Sequence, residues 1–106
     1  MATQYYLKLD RFEGPLDLLL HLVRFNELSI FKIDLYKLTS QYLEHLRLMK
    51  FTDMQESAAF IEMAADLIEI KSRRLLAEDN KEQEGLSIDA EDAEQKFKQR
   101  LKMYEL

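Results

Sequence analysis

Residues 53–77 read DMQESAAFIEMAADLIEIKSRRLLA, 25 positions without glycine or proline whose apolar side chains recur at helical spacing. As a helix this stretch is roughly 38 Å long at 1.5 Å per residue, the longest element the sequence predicts. Met54, Ala58, Ile61, Ala65, Ile68, Ser72 and Leu75 step alternately by four and three, which is a heptad-like seam suited to one packing partner. A second row, Phe60, Met63 or Ala64, Leu67, Ile70 and Arg74, is displaced around the cylinder. Together the rows cover more than the stripe of about 100° that a single core contact needs. Two readings follow. Either the rest of the chain covers both rows, or one row is left for the helix of another protein. Ala58, Ala59, Ala64 and Ala65 are small enough for a partner backbone to come close.

Working back towards the N-terminus, Thr52 or Asp53 can cap this helix, with Gln55 in capping-box register to Thr52. Before it, Asp34 can cap a helix running to about Met49, with Leu35, Leu38, Tyr42, Leu43, Leu46 and Met49 on one face. Ser29–Asp34 breaks the helical period ahead of that cap. A first helix starts at Gly14-Pro15, because proline fits a first turn where its missing N–H is not needed. Seven of the ten residues Leu16–Phe25 are apolar, which makes this helix central to the core, and Phe12 is placed to fold back on its first turn. Tyr5-Tyr6-Leu7-Lys8-Leu9 reads as a short extended segment.

Towards the C-terminus, Glu78–Ser87 is polar, acidic and contains Gly85, as a solvated linker would. A last helix follows from about Asp89, with Ala93, Phe97, Leu101 and Tyr104 on one face. Its period runs to the final residues without a stop signal, as in a fragment of a longer chain. The organisation expected is therefore an all-α unit over 1–77, a linker over 78–88 and a C-terminal helix over 89–106. Only 2 glycines, 1 proline and a 47% hydrophobic content in 106 residues agree with a helical fold and with one core.

The net charge of -5 is unevenly spread: Glu78–Glu94 holds eight acids and one lysine, or -7, which leaves +2 for the remainder. Lys96, Lys98, Arg100 and Lys102 form the one dense basic cluster, a poor basis for duplex binding. Cysteine is absent, which excludes disulfides, thiol catalysis and thiolate metal sites. Glu62, Asp66, Glu69 and Arg73 form a solvated ridge without the facing histidine that a carboxylate metal site needs. Asp17 and His21 are spaced i,i+4, but two ligands do not make a site, and His45 lies on another helix. Lys71, Arg73 and Arg74 suit the C-terminal end of the third helix, where cations are favoured, better than an anion site. No nucleophile with its base and no phosphate loop is present, so an enzyme is not expected, nor a cofactor or metal. The longest apolar run stops far short of a membrane span.

Phe12-Glu13-Gly14-Pro15-Leu16-Asp17-Leu18-Leu19-Leu20-His21-Leu22 closely resembles the opening signature of segregation and condensation protein A (ScpA), the bacterial kleisin family. Gln41-Tyr42-Leu43, and then Met63-Ala64-Ala65 through Ile70-Lys71-Ser72-Arg73 to Leu75-Leu76, resemble the next two blocks of that family in order and spacing. The likeness covers about residues 5–77 and, more loosely, the last helix. Ser29–Asp34 keeps the hydrophobicity of the family's stretch there but not its charges, and Ala77 stands where a proline commonly follows the leucine pair, which leaves the third helix free to run on a turn into Glu78-Asp79.

The resemblance implies a three-helix N-terminal kleisin domain and a non-enzymatic subunit of the bacterial condensin complex. The partners it implies are the coiled-coil neck of an SMC ATPase, docked largely through the third helix, and a dimer of ScpB, bound mainly by regions beyond this chain. DNA would be held only indirectly, inside the closed ring, and the complex would work in the cytoplasm on the nucleoid, without any membrane. On the second row of the third helix, Phe60, Ala64, Leu67, Ile70, Lys71 and Arg74 are expected on the partner face. Two alternatives stand beside this reading. One is a small helix-turn-helix nucleic-acid binder, against which residues 53–70 carry five acids and no base. The other is a self-associating module in which two copies cover each other's third helix.

Overall fold

A computed structural model describes residues 12–51, 53–80 and 82–105, and all of its regular structure is helical: α1 (Pro15–Phe25), α2 (Leu35–Leu48), α3 (Met54–Asp79) and α4 (Glu84–Glu105). The extended segment expected at Tyr5–Leu9 and the alternative cap Thr52 lie outside the described residues.

Each helix begins where its local chemistry dictates. α1 opens with Pro15 after an extended Gly14, and the Asp17 carboxylate accepts from Glu13 N–H at 3.1 Å, which satisfies a donor ahead of the first turn. Phe12 packs edge-on against His21, with ring centroids 5.1 Å apart. Asp34 caps α2 by accepting from Tyr36 N–H at 3.0 Å. Asp53 caps α3 by accepting from Glu56 N–H at 2.7 Å. Between α1 and α2 the turn is fixed by side chains. Asn26 donates to Leu22 O at 2.7 Å and to Gln41 Oε1 at 2.6 Å, while Ile30 and Ile33 tuck into the core.

The core forms where α1, α2 and α3 meet. Leu18, Leu19, Leu22, Leu38, Tyr42, Phe60 and Leu67 are all buried there, with Leu46 and Ile70 at the margin. α4 packs mainly along α3 and more lightly on α1, contributing Phe97 and Leu101 to the same core.

Near the acidic stretch α3 takes the extra turn that Ala77 leaves open, while the last helix starts earlier than its spacing predicts. α3 runs on to Asp79, and α4 already begins at Glu84, so only residues 80–83 connect them. Two causes are visible. No proline or glycine interrupts α3 before Asp79, and Glu84 in the first turn of α4 suits the positive end of the helix dipole, so polarity there does not require a loop. Asn80 ends α3 by donating its side-chain amide to Leu76 O at 2.9 Å.

Candidate functional site

The two apolar rows of α3 lie on adjoining sides of the helix. At about 100° per residue, Phe60, Met63, Ala64 and Leu67 cluster on one side of the cylinder, and the row Met54, Ile61, Ile68 and Leu75 is displaced by about 100° around it. Packing has chosen between them. Phe60 is 1% exposed and Leu67 0%, whereas Met54 is 88%, Ile61 56% and Ile68 46% exposed. Ala58, Ala65 and Ser72, which separate the large residues of the outer row, are exposed as well. A strip of alternating bulk therefore runs nearly the length of α3 on the surface of the bundle.

The six residues expected on a partner face belong to the other side. Phe60, Ala64 and Leu67 lie in the chain's own core, and Ile70 sits half-buried at its edge. Lys71 and Arg74 turn onto α2. The Arg74 guanidinium lies 4.2 Å and Lys71 Nζ 5.5 Å from the centroid of the Tyr36 ring. Arg74 also reaches Asp34 and Glu78, each at 3.6 Å, and Glu94 of α4 at 3.7 Å. The Tyr36 hydroxyl is held above its ordinary pKa, chiefly by burial and then by the Glu78 carboxylate. Tyr42 fixes the inner row from the α2 side: its hydroxyl donates to Phe60 O at 2.7 Å, and burial pushes its pKa well up, so it remains a donor.

Width distinguishes the two rows. A core-facing helix carries a broad apolar face, and the inner row has that breadth because Ala64 widens the regular series Phe60, Met63, Leu67 and Ile70. The outer row holds a strict four-three alternation, which is the narrower seam of a helix that packs along one other long helix.

The remaining polar candidates are absorbed by structure. Glu69 accepts from Arg73 at 2.8 Å on the surface, and Arg73 also approaches Asp89 at 3.8 Å. Because α3 extends to Asp79, Lys71, Arg73 and Arg74 lie short of its end and do not cap it; Asn80 does. The basic residues of α4 do not share a face. Lys98 is buried, donating to Ile33 O at 3.2 Å and lying 3.2 Å from Glu94, while Lys96 pairs with Asp92, Arg100 with Asp66 and Lys102 with Glu105. Among the described residues no grouping of side chains could hold a metal ion, and no helix is long and apolar enough to cross a membrane. A cleft of about 500 Å³ opens between the end of α3 and the start of α4, lined by Arg74, Ala77, Glu78, Ser87, Ala90 and Glu94. Its lining contains no nucleophile paired with a base.

The family model described as segregation and condensation protein ScpA matches residues 22–105. Proteins named segregation and condensation protein A are similar to this chain: one from Clostridium perfringens is 54% identical over 70 residues, covering 66% of the chain and 28% of the relative. Another, from Clostridium botulinum, is 44% identical over 85 residues, covering 80% and 34%. A third, from Caldanaerobacter subterraneus, is 41% identical over 95 residues, covering 90% and 38%. The chain thus spans about a third of the length of the curated relatives it matches. No solved structure gives a significant match.

Proposed function

The chain belongs to the segregation and condensation protein ScpA family, and on that premise we propose that it is the SMC-docking helical unit of a kleisin, a non-enzymatic subunit that acts in chromosome condensation and segregation. The outer strip of α3 lies against the coiled-coil neck of an SMC ATPase in the cytoplasm, on the nucleoid. A dimer of ScpB binds mainly through sequence outside this chain, and DNA is held by the closed ring rather than by these residues.

The observation that carries the reading is the exposed seam Met54, Ala58, Ile61, Ala65, Ile68, Ser72 and Leu75, a coiled-coil pattern with nothing in the core to account for it. Each large side chain buried there would contribute about 1.5–3 kcal/mol before the costs of ordering. Four such residues on a rigid helix suffice for a specific helix-on-helix contact. Phe60, Ala64 and Leu67 are set aside as contact residues because they are buried in the chain's own core. Ile70, Lys71 and Arg74 flank the bundle side and hold α2 and α4.

The test is co-purification with the SMC head carrying its neck. Ile61→Glu with Ile68→Glu is expected to lower binding by roughly a hundredfold or more while leaving far-UV circular dichroism and the melting transition unchanged. Retained binding by that variant would overturn the face assignment. Leu67→Glu is unsuitable for this purpose, because a charge in the core removes the fold along with the contact.

A further inference from the structure

We infer that the seam of α3 is built for a helix whose flanking residues are basic, and that two acidic residues on its rim prevent the chain from pairing with itself in the antiparallel register that its own pattern favours. The inference rests on the docking reading above and specifies the chemistry of the occupant.

Packing gives the direction. Met54, Ile61, Ile68 and Leu75 recur every seven residues, and Ala58, Ala65 and Ser72 recur every seven between them. A second helix of the same pattern laid parallel would set large on large and small on small, which holds the axes apart at one layer and leaves a gap at the next. Laid antiparallel, with Ile68 over Ala65, it also sets Ile61 over Ser72 and Leu75 over Ala58, so that each of these bulky residues meets a small one. Interaxial distance follows the side chains at the contact, and this alternation permits a close approach along the seam.

Charge gives the partner. Glu62 and Glu69 each follow a large seam residue and line one edge of the strip. Both are exposed, and among the described residues no ion pair to Glu62 is present. Glu69 has only the exposed Arg73 within its own helix, a pair that screens weakly. Antiparallel helices bring like edges together. In the close-packed register a second copy would place its Glu69 within about one turn of Glu62, and its Glu62 likewise beside Glu69. Packing therefore favours an orientation that charge denies to an identical chain, and a helix with lysine or arginine along that edge meets neither obstacle.

The probes are two labelled peptides spanning residues 54–79, one of the natural sequence and one with Glu62→Lys and Glu69→Lys, titrated onto the full chain at low and at high salt. The lysine peptide is expected to bind about tenfold or more tightly than the natural one, with the difference collapsing at about 1 M salt. A chain carrying Glu62→Lys and Glu69→Lys is expected to reverse the preference, and the Ile61→Glu, Ile68→Glu chain to bind neither peptide. Equal affinity for the two peptides, preference for the natural one, or binding of neither overturns the charge rule. Failure of the chain on the SMC neck overturns the docking reading instead, and the outcome of the peptide titration does not depend on that result.

Discussion

Leu67 and Ile68 are neighbours in the chain and equally apolar, yet one is 0% exposed and the other 46%. One peptide bond separates a residue that holds the bundle together from one the bundle does not need. The lesson is that α3 carries two apolar faces of different fate: the inner one supplies the core, and the outer one stays exposed. The pair also makes the contrast measurable. Leu67→Ala is expected to lower stability by about 2–5 kcal/mol, through lost burial and the cavity left in the core. For a domain of this size that is a fall in melting temperature of roughly 10–30 °C. Ile68→Ala is expected to stay within about 0.5 kcal/mol of the parent. Equal losses in thermal melts would erase the distinction between the faces.

How far sequence reading reaches can be judged on the same helices. Pro15, Asp34 and Asp53 marked the helix starts because caps act within a turn, and the structure uses each as expected. Leu18, Leu19, Leu22, Leu38 and Tyr42 were identifiable as core because each lies on the apolar side of a helix with a single such side. The orientation of α3 was not identifiable by the same route. Both rows have helical period, and which one turns inward depends on how α1 and α2 dock, a long-range matter that local spacing does not encode. The burial of Lys98 was equally hidden. A lysine between Phe97 and Gln99 looks like part of a basic cluster until α4 is laid against the carbonyls of Phe31 and Ile33.

That lysine sharpens the comparison from the second helix pair. α4 is held by few buried apolar residues and by a polar anchor, since Lys98 Nζ lies 3.2 Å from Ile33 O and from Glu94 Oε2 and 3.4 Å from Phe31 O. Lys98→Met keeps the apolar stem but strands those carbonyls and leaves Glu94 with Arg74 alone. The expected cost is about 1–3 kcal/mol, less than at Leu67 because Glu94 retains one cation and part of its exposure. Measured by chemical denaturation, a larger cost than Leu67→Ala would mean that polar anchoring, rather than the inner row of α3, dominates this fold.

The smallest effect tests whether the two faces are independent. Glu27 lies two residues past the end of α1 with φ of 58°, and its N–H bonds to Arg24 O at 3.0 Å, the left-handed helix ending that glycine adopts most readily. A side chain in that conformation costs about 1–2 kcal/mol, and glycine loses roughly 0.5–1 kcal/mol of that advantage through the greater freedom of its unfolded chain. Glu27→Gly is therefore expected to stabilise by about 0.5–1 kcal/mol, raising the melting temperature by a few degrees. Because the turn belongs to neither face of α3, affinity for the SMC neck should not change, and combining it with Ile68→Ala should give additive stabilities. A gain in neck affinity accompanying the gain in stability would mean that the outer strip is shaped by how firmly α1 and α2 hold the inner one, and the two faces would then have to be treated as a single coupled element.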